Sequence, residues 1–278
     1  MSAPTILAID TATENCSVAL HYQGQTYYQG QVAPQQHAAL ILSMVDQLLA
    51  EAKVEREQIE VIGYGAGPGS FTGVRIAVAT AQALALGWDC QVFGVSDLKL
   101  LAYPLFKQAP EHHYILACSD ARMGEVYFAL YQKVEQHLKT IIAEQVAAPE
   151  HALSQIKEAL QASATATAST AATATAATTA TAAAPAVSTL TMSGAGTGIA
   201  ILQQHDQEQV LSQINLTNAT QDDSAPTNLL YPQADAIIAY ALNEGMTLQD
   251  PSEAEPLYCR NEVTWKKVSE QPSPLAHK

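Results

Sequence analysis

The sequence is short of cysteine, of basic side chains and of long apolar runs, and each shortage removes a class of protein. Its 4 cysteines, Cys16, Cys90, Cys118 and Cys259, are scattered and form no Cys-x-x-Cys pair. That pattern fits reduced cysteines in a cytoplasm better than a disulfide framework or a zinc site. Lysine and arginine number 13 against 27 aspartates and glutamates, a formal charge of −14. Such a surface repels phosphate backbones and anionic membranes, which argues against stand-alone binding to RNA, DNA or lipid. No apolar stretch reaches the ~18 residues that span a bilayer. The first apolar run, Ile6 to Ile9, follows no basic region, so no signal peptide is expected. Chemical motifs are missing as well. There is no His-Glu-x-x-His of a zinc protease and no Gly-x-Ser-x-Gly nucleophile elbow. His37 would need a second histidine one turn on to share a helix face, and that position is Ile41. No metal site and no catalytic residue is read from the chain.

What is present is a chain of 278 residues, 48% apolar, enough for a real core in one large or two small domains. Short apolar runs mark strands over Thr5 to Asp10, Cys16 to Tyr22 and Gln25 to Gln31, with Gly24 at a hairpin turn. A long helix is expected over Gln35 to Ala52, a strand over Ile59 to Tyr64, a helix of small residues over Ile76 to Gly87, and a strand over Gln91 to Val95. Ser96 suits the N-cap of a helix from Asp97 to Leu105, with Pro104 in its last turn. Three meandering strands, then helix, strand, helix and strand, resemble the ribonuclease H-like order: a mixed sheet with helices on both faces.

The second half repeats this opening. Ile115 to Asp120 echoes Ile6 to Asp10, and Gly124 to Tyr131 echoes the second strand. Leu138 to Gln145 gives a third strand, Pro149 to Ala162 a helix, and Ser188 to Met192 another strand, before a second Gly-rich turn at Gly194 to Gly198. Ser163 to Ala184 is nearly all alanine and threonine, with no charge and no apolar period, and is expected as a disordered or weakly helical surface insertion. Pro232 to Glu244 reads as a final helix, Pro232 suiting its first position and Gly245 its end. The expected organisation is α/β. An N-terminal domain covers residues 1–97, with helix 232–244 packing back on it. A smaller second domain covers 98–231 and carries the insertion 163–184, and an extension covers 245–278, mobile from Ser269.

The run Gly65-Ala66-Gly67-Pro68-Gly69-Ser70-Phe71-Thr72-Gly73-Val74-Arg75 is the most telling. It joins a buried strand to a helix start. Glycines permit close backbone approach, and free N–H groups at a helix start suit an anion such as a nucleotide phosphate. It is neither a P-loop, since no Gly-Lys-Ser/Thr follows, nor the dinucleotide fingerprint, whose spacing differs. Residue types leave two readings open, a phosphate cradle and a plain tight turn. Asp10 has the same two sides: with Thr11 and Thr13 it suits a metal–nucleotide contact, and it also suits the cap of a hairpin turn. On the first long helix Ile41, Met44, Val45 and Leu48 form one face, widened by Leu42 and Leu49. The second is apolar nearly all round, so one side covers the sheet. The other side meets either a partner or the neighbouring helix of the same chain.

Ile6 to Glu14, Gly65 to Arg75, Asp120 to Tyr127 and Glu255-Pro256-Leu257-Tyr258-x-Arg260-Asn261 together resemble the TsaB (YeaZ) family. The resemblance implies an actin-like (ASKHA) fold of two ribonuclease H-like domains with mixed sheets flanked by helices. It implies a non-catalytic scaffold in the cytoplasmic synthesis of N6-threonylcarbamoyladenosine in tRNA, next to the anticodon. The implied partners are the catalytic paralogue TsaD, the ATPase TsaE and a second copy as a homodimer. tRNA is met only through the complex, and no membrane is involved. No cofactor is implied for this chain alone, with ATP or ADP entering in the complex. Under this resemblance Asp10, Thr11, Thr13, Gly67, Gly69 and Ser70 are the expected nucleotide-facing residues. Ile41, Met44, Val45, Leu48, Ala77, Ala81 and Leu84 are the expected partner interface. The rival expectation is an actin-like ATPase or small-molecule kinase acting alone; a peptidase is a third, without a constellation to support it.

Overall fold

The computed structural model describes residues 3–111, 113–173, 192–213, 217–218 and 229–259. Strands β1 (Ile6–Asp10), β2 (Asn15–Tyr22) and β3 (Gln25–Val32) form the expected meander. Helix α1 (His37–Ala52), strand β4 (Val61–Gly65), helix α2 (Phe71–Trp88), strand β5 (Gln91–Val95) and helix α3 (Asp97–Gln108) follow. The sheet order is β3-β2-β1-β4-β5. β2 runs antiparallel to both β1 and β3, while β4 runs parallel to β1 and to β5.

Every residue of β1 is buried, because helices cover both faces of the sheet. Leu7 and Ile9 point into a cluster with α1 and α2 residues such as Ile41, Leu48 and Ala81. Ile6 and Ala8 point the other way, onto Ala234, Ile237 and Ile238 of helix α7 (Ala234–Glu244). A strand buried on both faces reads as a continuous apolar run, which is what Ile6 to Ile9 is. Helix α7 begins at Ala234, with Gln233 rather than Pro232 just before it.

The second sheet copies the first. Strands β6 (Tyr114–Arg122), β7 (Glu125–Val134) and β8 (His137–Ala147) form a meander. Helix α4 (Pro149–Thr173), strand β9 (Met192–Ala195), helices α5 (Gly198–His205) and α6 (Val210–Gln213) and strand β10 (Thr217–Asn218) complete it. Its order, β10-β9-β6-β7-β8, is the first sheet's order read from the other edge. Three sequence expectations shift here. The strand placed over 188–192 is found at Met192–Ala195, since it is this segment that pairs parallel with Tyr114 to Ala117; residues 188–191 lie outside the described residues. The α4 backbone stays helical past Ala162 to Thr173, within the alanine-threonine stretch, whose remainder is not described. Helix α3 runs through Pro104 to Gln108 instead of ending at Leu105. Arg260, Asn261 and the tail from Ser269 also fall outside the described residues.

Helix α3 is the seam between the halves. Leu100 belongs to the cluster under the first sheet, whereas Leu98, Leu101, Tyr103 and Phe106 pack with Ile115, Ala117 and Tyr131 of the second. No described helix is long and apolar enough to cross a membrane.

Candidate functional site

The site is built where β1 and α3 meet the Gly-rich turn. Asp10 closes β1 and Asp97 opens α3, and both are buried. Asp10 Oδ1 accepts from the Ala12 N–H at 2.8 Å, and Asp97 Oδ2 accepts from the Gly67 N–H at 2.5 Å. Gly65 lies between them. A methyl group there would sit 2.7 Å from Asp97 Oδ1 and 2.8 Å from Asp10 Oδ1. Asp10 Oδ2 and Asp97 Oδ1 are buried and find no hydrogen-bond donor among the described residues. Burial pushes the Asp10 carboxyl up to about 7, against the pull of the Ala12 N–H. Burial, and then the charge of Asp10, push Asp97 well above the usual carboxylate range. Two desolvated carboxyls this close cannot both ionise cheaply.

Several of the turn's own donors are taken within the chain. The Ala66 N–H goes to the Val95 carbonyl (2.9 Å), the Ser70 N–H to the Ala12 carbonyl (2.7 Å), and the Gly73 N–H to Ser70 Oγ (3.4 Å). Thr11 Oγ1 donates to the Gly73 carbonyl at 2.7 Å. The turn needs glycine for close approach: a Cβ at Gly69 would lie 2.4 Å from the Ala12 carbonyl oxygen, and one at Gly73 would lie 2.1 Å from that of Thr11. The Gly67–Pro68 peptide is cis.

The residues expected at the cradle make these contacts within the chain. Asp10 and Thr11 are buried and bonded within the chain, Gly67 gives its N–H to Asp97, Gly69 is packed on Ala12, and Ser70 caps α2. Thr13 is half-buried and accepts the Asn15 N–H within its own turn (3.4 Å). Among the described residues no group of three or more His, Cys, Asp and Glu side chains gathers to hold a metal ion.

The second half reaches across to the first at this place. In the β6–β7 turn, where Arg122 and Met123 both have positive φ, Arg122 Nη1 meets Asp120 at 3.0 Å and Nη2 meets Glu14 at 2.6 Å. The Asp120–Glu125 segment is therefore both a salt-bridged turn and a contact between the halves. Asp97 and the Glu14–Arg122 pair were missed as site residues. The only local signal for Asp97 was its helix-start position, and nothing local shows that it faces Asp10.

The expected partner interface is corrected. Ile41, Met44, Val45, Leu48, Ala77 and Ala81 are buried against Leu7, Ile9, Val18 and Leu20, and Leu84 is half-buried at the edge of that cluster. This apolar stripe is the one that covers the sheet. The outer sides of the same helices carry Leu42 and Leu86, 53% and 67% exposed.

Two sheets of one strand order, with their first hairpin turns in contact, define an actin-like protein of two ribonuclease H-like domains. Comparison with known proteins makes this specific. The family described as "TsaD: tRNA N6-adenosine threonylcarbamoyltransferase" matches residues 23–268. The tRNA threonylcarbamoyladenosine biosynthesis protein TsaB of Haemophilus influenzae is 33% identical over 274 residues, 95% of this chain and 97% of its own length. The protein of the same name from Escherichia coli is 46% identical over 130 residues, 47% of this chain and 56% of its own. Among solved structures, YeaZ from Pseudomonas aeruginosa is 29% identical with a TM-score of 0.64, covering 92% of this chain and 100% of that one. A second structure, described as an uncharacterized protein with similarity to peptidase YEAZ from Pseudomonas aeruginosa, is 30% identical with a TM-score of 0.66, covering 93% and 100%. The chain belongs to the TsaB (YeaZ) family.

Proposed function

We propose that this chain is a non-catalytic partner subunit in tRNA threonylcarbamoyladenosine biosynthesis. It pairs with TsaD and TsaE while threonylcarbamoyl passes from threonylcarbamoyl-adenylate to the adenine N6 next to the anticodon. The relatives' shared name supports the process. The observation that carries the non-catalytic role is the packing of the Gly65–Ser70 turn on its own chain. The N–H groups of Ala66, Gly67 and Ser70 serve Val95, Asp97 and Ala12, and the neighbouring Asp10 carboxyl is buried and pushed up to about 7. A nucleotide using those three N–H groups would have to break bonds the fold already makes. This chain then needs no cofactor of its own, and ATP or ADP acts in the complex. The charge of −14 supports a tRNA held mainly by other subunits. The outer faces of α1 and α2, around Leu42 and Leu86, are the surfaces we assign to pairing with TsaD or with a second copy in the cytoplasm.

Isothermal calorimetry of the isolated chain tests this reading. The expected result is no saturable heat with magnesium-ATP and a clear binding isotherm with purified TsaD. Tight magnesium-ATP binding with turnover by the chain alone would overturn it in favour of an actin-like ATPase.

A further inference from the structure

Arg75, at the start of α2, is held in place between two aromatic rings and has no counter-ion among the described residues. The Arg75 guanidinium carbon lies 3.4 Å from the centroid of the Phe71 ring and 5.2 Å from that of Tyr258. Arg75 Nη1 donates to the Phe71 carbonyl at 2.9 Å, which fixes the side chain along the helix. Tyr258 arrives on a strap that α2 and the Gly-rich turn tie down: Gln82 Nε2 donates to the Ala254 carbonyl (3.2 Å), and the Leu257 N–H donates to the Ala66 carbonyl (2.6 Å). The frame is in water all the same, with Phe71 72% and Tyr258 53% exposed and Leu257 beside them. Among the described residues no carboxylate pairs with Arg75, although the chain has 27 of them.

Stacking on aromatic faces leaves the edge of a guanidinium free, and that edge matches a carboxylate with two parallel hydrogen bonds. Because the side chain is already ordered, little rotamer entropy remains to be lost on binding. Exposed Phe and Tyr around it add apolar area that only association can bury, and tyrosine and arginine are enriched among the anchors of protein interfaces. We propose that Phe71, Arg75 and Tyr258 form an anchor for a partner protein that presents an aspartate or glutamate set among apolar side chains. This rests on the reading of the chain as a partner subunit. RNA fits less well, because a polyanion meets the whole charge of −14 and not Arg75 alone.

The test uses the full chain and purified TsaD as the probe, with affinity read by calorimetry for Arg75→Met, Arg75→Lys and Tyr258→Ser. Circular dichroism melts serve as the check of folding. The expected result is affinity at least tenfold weaker for Arg75→Met, no rescue by Arg75→Lys, and a milder loss for Tyr258→Ser, which leaves α2 untouched. The salt dependence of binding should also flatten in Arg75→Met. Folded variants that bind TsaD within twofold of wild type would overturn the anchor and leave the partner-subunit reading standing. A wild-type chain that does not bind TsaD would overturn both. A loss confined to self-association, or to retention of tRNA by the assembled complex, would also overturn it and give the anchor to a second copy or to RNA.

Discussion

Asp10 and Asp97 bury their carboxyl groups against Gly65 at the junction of β1, the Gly-rich turn and α3, and burial raises both above the usual carboxylate range. Asp97 opens the helix that forms the seam between the two domains. The pair therefore ties the domain junction to the turn that would otherwise offer its N–H groups to an anion.

That pair sets a pH dependence with a definite sign. An unfolded aspartate releases its proton near 3.8, and folded Asp10 keeps it to about 7. Between those values the folded state binds more protons than the unfolded state, so stability is greatest at the acid end and falls as pH rises through about 7. Asp97, raised well above its ordinary value, adds a fall of the same sign. Urea unfolding at pH 5 and pH 8 should show lower stability at pH 8. In Asp97→Asn the amide oxygen still accepts the Gly67 N–H and the amide nitrogen donates to Asp10. That variant should lose much of the pH dependence and gain about 2 kcal/mol at pH 8, the scale of relieving an unmet buried polar group. A wild-type profile flat from pH 5 to 8 would contradict the raised Asp10 carboxyl.

Two glycines of α2 should respond in opposite directions to alanine. Helix propensity alone favours alanine at each by about 1 kcal/mol. At Gly87 a Cβ meets nothing within 4 Å, so Gly87→Ala should stabilise by about 0.5–1 kcal/mol. At Gly73 it would lie 2.1 Å from the Thr11 carbonyl oxygen, and overpacking of about 1–3 kcal/mol outweighs the propensity gain. Thermal melts of the two variants check both signs. A stabilised Gly73→Ala would show that the turn does not pack on the β1–β2 loop as described.

Charge placed on α2 should separate folding from pairing. Ala81 is buried under the sheet, so Ala81→Asp should leave little folded chain, because an unpaired carboxylate cannot be carried there. Leu86 is exposed, and Leu86→Asp should fold with a melting temperature near wild type and weaken pairing with TsaD or a second copy. Size-exclusion chromatography with light scattering, next to circular dichroism, reads both. A well-folded Ala81→Asp would contradict the burial assigned to this stripe.

The Glu14–Arg122 pair should contribute little to stability despite joining the two halves. Arg122 is largely in water, with a side chain 71% exposed, and such pairs are worth about 0–1 kcal/mol and are screened by salt. Arg122→Ala should therefore shift the melting midpoint only slightly, and not at all in high salt. A large loss would mean that the contact organises more of the domain junction than its exposure suggests.

The two sheets were legible because short apolar runs bounded by turn residues place strands well, and because Ile6 to Ile9, buried on both faces, leaves no polar alternation to confuse it. The repeat was legible from Ile115 to Asp120 for the same reason. What sequence could not settle was direction. Periodicity puts Ile41, Met44, Val45 and Leu48 on one face of α1 but does not say whether a sheet or a partner lies against it. Likewise the Gly65–Arg75 run announces backbone donors without saying whether the chain itself takes them; the Asp97 carboxylate and the Ala12 carbonyl that do so lie on other segments. Arg75 sits in the same run, and its two aromatic neighbours come from a preceding turn and from a distant strap. No local pattern joins Tyr258 to it.

Reconstituted tRNA modification tests the central claim most directly. TsaD, TsaE, threonylcarbamoyl-adenylate, ATP and unmodified tRNA are combined with and without this chain, and modified adenosine is measured. The account predicts that modification requires the chain, that the chain without TsaD yields none, and that Asp97→Asn, which keeps the turn closed, supports it as well as wild type. Modification that proceeds equally without the chain, or that the chain catalyses without TsaD, would contradict it.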